Sequence, residues 1–200
     1  MEDFLKILGG FIAGFTTSVF AEPLRKWLFK PNVKIYFEQT PNCISKTPEA
    51  RKDNDGNESI GEATYVKGKA VNESRFIARA CKVYLVNIEK KNPRTGRFEL
   101  TSYSDSIPLK WASQPSDRTF SPLDLPKNIN QYFDIVVLRD CSDQFDPQLY
   151  VKPFRDEALF NDTGTFRFTI QLSGDQIVSE RIRIILEWNG NWKDFKVYQE

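Results

Sequence analysis

Clustered acidic residues are the first feature of this sequence that could do chemistry. The segment "DCSDQFD" places Asp140, Asp143 and Asp146 at regular spacing, and carboxylates are ligands that hard cations prefer. Spaced aspartates in a loop are also common turn formers. Residues 51–62, "RKDNDGNESIGE", partly match a calcium-loop pattern, but Arg51 occupies the first ligand position. Both segments are therefore interpreted as solvated loops, and no metal site is predicted.

A basic turn could contact an anion. Lys90, Lys91, Arg94 and Arg97 surround the segment "PRTG", where they could meet lipid headgroups, phosphates or an acidic partner. Exposed charged turns are common in proteins, so a solvated hairpin end is the simpler interpretation of this cluster.

Arginines alternate with apolar residues near the C-terminus, in "FRFTIQL" and "ERIRIILEW". If these segments pair as antiparallel strands, Arg167, Arg181 and Arg183 share one outer face. Opposed like charges on a sheet cost about 0.2 to 1 kcal/mol per pair. We expect carboxylates such as Glu180 or Glu187, or a bound anion, to offset this cost. The three arginines are therefore a possible anion contact. The alternative is plain solvation, with the long side chains splayed apart and their charges screened by the solvent.

The histidine and cysteine content of the chain excludes or disfavours several kinds of catalytic and metal site. The chain has no His, which excludes His-based catalytic triads and His metal ligands within it. Its three Cys, at positions 43, 81 and 141, are far apart and form no Cys-x-x-Cys pair, so neither a disulfide framework nor a zinc site is indicated. With 28 basic and 27 acidic residues, the charge balance gives no indication of specific nucleic-acid binding. We predict a protein that is not an enzyme and holds no cofactor.

The elements that must position these residues are predicted to be short β-strands. Apolar and polar residues alternate with a period of two in residues 33–37, 81–85, 133–137, 166–172 and 181–188. This alternation predicts antiparallel sheets on a shared core, and Asn189-Gly190 predicts a closing hairpin. The predicted fold class is mainly β, an immunoglobulin-like antiparallel β-sandwich in residues 32–200. Residues 40–59 and 112–130 are expected to form long loops.

An apolar stretch precedes this domain. It begins at Phe4, ends at Ala21 and carries one charge, that of Lys6. As a helix its eighteen residues would extend about 27 Å at ~1.5 Å per residue, close to the ~30 Å hydrocarbon core of a bilayer. Residues 1–31 are therefore predicted to be an N-terminal membrane helix with a basic juxtamembrane segment, which spans the lipid bilayer or lies in it.

The charges flanking the stretch indicate its orientation. Glu2 and Asp3 precede it, whereas the juxtamembrane basic residues Arg25, Lys26 and Lys30 follow it. The positive-inside rule then places the β domain in the cytoplasm, with the helix in the inner, cytoplasmic membrane. A cleaved signal peptide and a helix of a soluble core are the alternatives. The acidic start disfavours the first, and the lack of a polar face disfavours the second.

Small residues recur along the apolar stretch. Gly10 and Gly14 are four residues apart, with Ser18 at the next position of the same helical face. Such faces allow membrane helices to approach closely, so self-association through this helix is one possibility. The other is that Gly is simply common in membrane helices.

Several segments together carry a resemblance to a known group. They are "EPLRKWLFKPNVKIYF", "ARACKVYLVNIEK", "IPLKW", "DLPKNINQYFDIVVL", "GTFRFTIQLSGD" and "ILEWNGNW". In these segments the chain resembles a loose group of uncharacterised bacterial proteins with one N-terminal membrane helix and a small immunoglobulin-like β-sandwich. The resemblance covers most of the chain and implies an architecture, with no activity attached.

These features predict a membrane-anchored binding or scaffold protein whose cytoplasmic β-sandwich engages a protein partner. The alternative is a ligand- or nucleotide-sensing domain that signals to the membrane helix. Both interpretations include the lipid bilayer as a partner and allow self-association.

The orientation can be tested by labelling a single cysteine in whole cells. On a background in which Cys43, Cys81 and Cys141 are replaced, we expect Asn57→Cys to react with a membrane-impermeant thiol reagent only after permeabilisation. The physical reason is that basic residues after the apolar stretch disfavour translocation of the following domain. Labelling of intact cells would contradict this orientation, and a mature protein beginning at Glu22 would contradict the anchor.

Overall fold

The computed structural model describes residues 30–52, 58–103, 105–140, 142–151, 157–177 and 180–200. In these ranges the chain is mainly β, as the sequence predicts. In chain order the strands are β1 (Val33–Tyr36), β2 (Ile44–Lys52), β3 (Glu58–Asn72), β4 (Ala78–Lys91), β5 (Phe98–Leu100), β6 (Ile107–Pro108), β7 (Lys110–Trp111), β8 (Leu123–Leu125), β9 (Asn130–Arg139), β10 (Phe145–Pro147), β11 (Gly164–Asp175), β12 (Glu180–Trp188) and β13 (Phe195–Gln199). A short helix, α1 (Glu157–Phe160), precedes β11.

The strands form two antiparallel sheets. In the first sheet β3 is central, with β1 and β2 along one side and β9 along the other, and β7 and β10 pair with β9. The second sheet has the order β13-β12-β11-β4-β5, and β6 and β8 also pair with β4. Both sheets contribute side chains to one apolar cluster, so they pack over a shared core in a sandwich-like arrangement.

The period of two is clearest in β11 and β12. Phe166, Phe168, Ile170 and Leu172 are buried, and they lie opposite Leu186, Ile184, Ile182 and Glu180 of the neighbouring strand. The intervening Arg167, Thr169 and Gln171 point to the outer face, because successive side chains of a strand alternate between faces. This part of the prediction is confirmed.

An aromatic cluster joins the two sheets. The fully buried Phe145 of β10 lies within 4.8 to 5.9 Å, between ring centroids, of Phe166 and Phe168 in β11 and of Phe160 in α1. Aromatic pairs at such spacings contribute about 0.5 to 1.5 kcal/mol each beyond the burial of their area. The cluster therefore ties a short edge strand of the first sheet to the middle of the second.

The strand β1 is held by both sheets. One of its edges pairs with β3, from Val33 opposite Asn72 to Tyr36 opposite Lys69. Beyond that ladder, the Ile35 N–H donates to Glu180 Oε2 over 3.2 Å, and the Phe37 N–H donates to Gln199 Oε1 over 2.8 Å. Side chains from β12 and β13 thus satisfy backbone donors that an edge strand would otherwise present to solvent.

Predictions of local structure are wrong in three places. Within residues 112–130, expected to form a loop, Leu123–Leu125 form β8 because their backbone pairs with β4. Residues 44–52, expected to be part of a loop, form β2, because their backbone pairs with β3 along its whole length even though their side chains are mostly polar. In β9 the alternation breaks at Ile135. Val136 pairs with Val66, but Asp134 pairs with the next residue, Lys67, so Ile135 has no partner in the ladder. As a result, Val136 and not Val137 joins the core cluster, and Asp134 becomes buried.

The closing hairpin is confirmed, although its connection is longer than a two-residue turn. The β12–β13 ladder ends with Trp188 opposite Phe195, and residues 189–194 connect the strands. Gly190 takes a φ of 86°, a conformation that favours glycine, and the Asn189 side chain accepts the Asn191 N–H over 2.9 Å.

The strand directions define two ends of the domain. The entry end, where β1 begins, contains residues 30–32 and the connections 73–77 and 126–129. The distal end contains the β4–β5 turn at residues 92–97 and the β12–β13 connection. Residues 1–29, where the membrane helix is predicted, lie outside the described residues. Within the described ranges, no helix is long and apolar enough to cross a membrane.

Candidate functional site

Arg167 lies at the centre of the outer face of the second sheet. Its guanidinium donates two hydrogen bonds of 2.7 Å to the Glu89 carboxylate of β4, and its Cζ lies 4.3 Å from the Phe98 ring centroid. Glu89 and Arg167 occupy paired positions in register, so the bidentate geometry follows directly from the β4–β11 ladder. The hydrogen bonds from Arg167 lower the pKa of Glu89, and the same bonds raise the pKa of Arg167.

The other two predicted anion-contact arginines lie on β12. Arg183 shares the C-terminal Glu200 with Arg167, at 3.6 and 3.2 Å respectively, whereas Arg181 donates to Gln171 Oε1 over 2.6 Å. The carboxylates that offset the charge of Arg167 are therefore Glu89 and Glu200. The suggested Glu180 and Glu187 have other contacts, with the Ile35 N–H and with Lys196. The structure brings Arg167 and Arg183 together and places Arg181 apart.

Two of the three aspartates of "DCSDQFD" bind arginines, whereas Asp143 is exposed and its backbone oxygen accepts the Trp188 indole N–H over 3.2 Å. Asp140 pairs with Arg51 and accepts the Glu62 N–H, and Asp146 accepts from Arg139 Nη1 over 2.6 Å. Arg139 also binds Glu49 through two nitrogens, at 2.8 and 3.2 Å, and these hydrogen bonds lower the pKa of Glu49.

Asp140 and Asp146 therefore belong to an ion-pair network on the outer face of the first sheet. No group of three or more His, Cys, Asp or Glu side chains suited to a metal occurs among the described residues. Of the calcium-loop segment, residues 53–57 lie outside them.

The basic turn borders an open cavity at the distal end. The cavity has a volume of about 650 Å³, and Lys91, Arg94 and Asn92 line it together with the apolar Leu100 and Leu159. Lys90 also lines it but pairs with Asp162, while Arg97 lies in the same turn. Lys91 and Arg94 are exposed and form no ion pair with any described residue. The cavity therefore offers two cations beside an apolar wall, and the carboxylate of Glu99, which accepts from the Asn92 amide over 2.8 Å, also lines it.

A second groove, which we call the aromatic groove, lies beside β4 and β6. Its volume is about 550 Å³, and its walls are Lys82, Pro108, Ser116, Asp117, Thr119, Phe120, Ser121, Pro122 and Tyr150. The Phe120 and Tyr150 rings meet edge to face at 5.3 Å, and Tyr150 is 65% exposed.

Backbone hydrogen bonds hold the chain beside both aromatic residues of this groove. The Tyr150 N–H donates to the Pro108 oxygen over 3.0 Å, which attaches the 148–151 segment to β6. On the other side, the Trp111 N–H donates to the oxygen of the buried Thr119 over 2.7 Å, which places Phe120 at the rim. The groove is thus formed by ordered backbone on two sides.

The remaining predicted site residues belong to the N-terminal segment. Lys30 is exposed at the start of the described chain. The membrane-anchor residues Phe4, Gly10, Gly14 and Ala21 and the juxtamembrane Arg25 and Lys26 lie outside the described residues. Sequence reasoning missed the aromatic groove, since Phe120 falls in a stretch interpreted as loop. Phe120 and the pair Tyr150-Val151, which are aromatic or apolar residues inside proline-containing segments, were the available signal.

Comparison with known protein families, with curated proteins and with solved structures finds no match to this chain. The resemblance to bacterial membrane-anchored β-sandwich proteins stays a prediction.

The Arg167–Glu89 pair predicts a pH-dependent stability. Because the pKa of folded Glu89 lies below its unfolded value, its contribution to the free energy of unfolding is complete above about pH 5 and is lost on acidification through the folded pKa. We expect Glu89→Gln to lower that free energy by about 2 kcal/mol at pH 7, and the difference from the wild type to shrink towards pH 3.

Urea unfolding of the full chain in detergent, followed by tryptophan fluorescence, measures this effect. The matched control is Glu187→Gln, whose exposed pair with Lys196 should contribute less than about 1 kcal/mol. If the free energy of unfolding of Glu89→Gln is lower than that of the wild type by the same amount at every pH, the loss does not come from the ionised Glu89 carboxylate.

Proposed function

We propose that this chain is a membrane-anchored binding protein whose β domain engages a protein partner through the aromatic groove. The observation that carries the proposal is the pair of the half-buried Phe120 and the exposed Tyr150 beside Pro108 and Pro122. Aromatic residues in a concave, partly apolar surface contribute most of the binding energy at many protein interfaces.

Exposure of further apolar residues beside the groove favours a protein over a small molecule. Val151, next to Tyr150, is also exposed. Contiguous exposed apolar groups rimmed by polar ones are typical of interaction sites. Ser116, Asp117 and Ser121 would form such a rim, with Lys82 at the opposite wall. A segment of a partner with apolar side chains in the groove and an acidic group near Lys82 fits this arrangement.

The membrane part of the proposal is supported by the sequence of residues 1–31. In this proposal the apolar helix keeps the chain in the cytoplasmic membrane, and the β domain, an immunoglobulin-like sandwich, lies in the cytoplasm. The two antiparallel sheets over one core are compatible with that finer fold class. Cys43 and Cys81 are free and buried, which is compatible with a reducing compartment. Self-association through Gly10 and Gly14 remains part of the proposal.

Photocrosslinking in cells tests the protein partner. A photoreactive residue at Ser121, at the rim, is expected to give one discrete adduct of the full chain, and Tyr150→Ala should lower its yield by about ten-fold, because aromatic hot spots contribute ~2 kcal/mol or more. Tyr198→Ala, which removes an exposed tyrosine from β13, serves as the matched control. Equal yields in both variants would contradict the groove, and an adduct of twice the chain mass would identify a second copy as the partner.

The cavity at the basic turn favours a second candidate function, sensing of an anionic small molecule. Lys91 and Arg94 could bind phosphate oxygens, and Leu100 and Leu159 could contact an apolar part such as a nucleobase. The cavity lies at the distal end, so a ligand there would have to act on the membrane helix through the whole length of β4.

Titration of the full chain in detergent with ATP and with inorganic phosphate tests this alternative. We expect Lys91→Gln with Arg94→Gln to weaken binding by about ten-fold or more, since hydrogen bonds to charged groups contribute ~1.5 to 3 kcal/mol. Lys193→Gln, an exposed distal lysine outside the cavity, is the control. No binding, or binding that the double variant leaves unchanged, would rule the sensing function out.

A further inference from the structure

The entry end of the domain is organised by one buried side chain. Asn72, fully buried at the end of β3, donates from its amide nitrogen to the oxygens of Phe76 and Leu125 over 2.5 and 2.8 Å. Its backbone oxygen accepts the Asn128 N–H over 2.9 Å. Asn72 thus fixes the 73–77 and 126–129 connections side by side, next to the residues that lead into β1.

The surface of these two connections combines apolar and basic groups. Ile77 is 53% exposed and Ile129 is 47% exposed, and each belongs to one of the connections. Arg75, Arg79 and Lys127 are exposed around them and form no ion pair with a described residue. Exposed isoleucines flanked by cations are typical of surfaces that lie at a lipid interface.

Most acidic groups at this end already have partners. Glu73 accepts from the Tyr36 hydroxyl over 2.7 Å and pairs with Lys34 at 3.2 Å. Asp124 accepts the Ala80 N–H over 2.9 Å, and Glu180 accepts the Ile35 N–H. Asp175, opposite Arg79 in register, is exposed. The cations are therefore the groups with most free hydrogen-bonding capacity here, and they favour an anionic partner.

We propose that the entry end docks on a bilayer surface containing anionic phospholipids. The inference rests on the proposed membrane anchor, because residue 30 of the entry end directly follows the apolar and basic segment predicted to hold the chain in the membrane. Arg75, Arg79 and Lys127 bind lipid phosphates, and Ile77 and Ile129 enter the interface between headgroups and acyl chains. Docking holds the aromatic groove and the distal cavity in a fixed orientation above the membrane.

The chain itself offers a matched pair of reporter positions. Ile77 lies at the entry end, and Ile60, which is 82% exposed, lies near the start of β3 towards the distal end. On a Cys141→Ser background, a thiol-reactive fluorophore can be attached at either Ile77→Cys or Ile60→Cys. Cys43 and Cys81 are buried, and burial raises the pKa of the Cys81 thiol to about 12, so neither competes for the label.

The experiment measures quenching of that fluorophore by spin-labelled lipid in nanodiscs holding the full chain. In discs of phosphatidylcholine with phosphatidylglycerol, we expect quenching at position 77 and none at position 60, and little quenching at 77 in phosphatidylcholine alone. Replacing Arg75, Arg79 and Lys127 by Gln should lower the docked-to-undocked ratio by about five-fold per charge. The control carries Lys91→Gln, Arg94→Gln and Lys193→Gln at the distal end and should dock as the wild type does.

Other outcomes of these measurements would refute either the docking or the membrane anchor. Three results would overturn the docking. They are equal quenching at positions 77 and 60, quenching at position 77 that does not depend on the anionic lipid, and wild-type quenching in the variant that lacks Arg75, Arg79 and Lys127. Release of the chain from cell membranes by carbonate would overturn the proposed anchor. A chain that stays in the membrane under carbonate, with no quenching at 77, refutes the docking alone.

Discussion

The attachment of β1 to both sheets is the constraint on which the rest of the arrangement depends. The backbone of β1 pairs with β3 of the first sheet, while Glu180 and Gln199 of the second sheet accept the N–H groups of Ile35 and Phe37. A strand whose only hydrogen bonds are to one neighbouring strand could change its angle relative to the rest of the domain. Bonds on both edges remove that freedom, so the position and direction of β1 are fixed relative to both sheets.

Charge is distributed differently over the sheet faces and the ends. On the faces, Arg167 is bound by Glu89 and Arg139 by Glu49, whereas Arg181 binds the amide oxygen of Gln171. At the ends, exposed cations such as Lys127 and Arg94 have no described ion-pair partner. Pairing on the faces satisfies groups that packing has partly buried, whereas solvent can satisfy the cations of the ends. Exposed cations without a described ion-pair partner are therefore present at both ends of the domain.

Sequence reasoning succeeded where a local pattern was sufficient. Alternation in residues 166–172 and 181–188 identified the two central strands, and Asn189-Gly190 identified the closing hairpin. It failed where a distant partner decides the structure. The polar strand β2 exists because β3 pairs with it, and the bulge at Ile135 depends on the register with β3.

Side-chain partners were harder still to predict. Glu89, which binds Arg167, is distant in sequence and could be identified only once β4 was known to lie beside β11. The aromatic groove joins Phe120 to Tyr150 from two connections whose proximity no periodicity encodes. The predicted membrane anchor rests on composition and charge alone, and its residues lie outside the described part of the chain.

A force applied to the chain would act on the same hydrogen bonds that hold β1 in the domain. Hydrogen bonds between strands run perpendicular to the strand direction. A pull on residue 30 along β1 therefore stresses the β1–β3 ladder and the hydrogen bonds that Ile35 and Phe37 donate to Glu180 and Gln199. All of these bonds are loaded together, in shear, and do not open one after another. If a partner pulls on the distal end of a tethered chain, the force must break this whole set at once before the first strand separates from the domain.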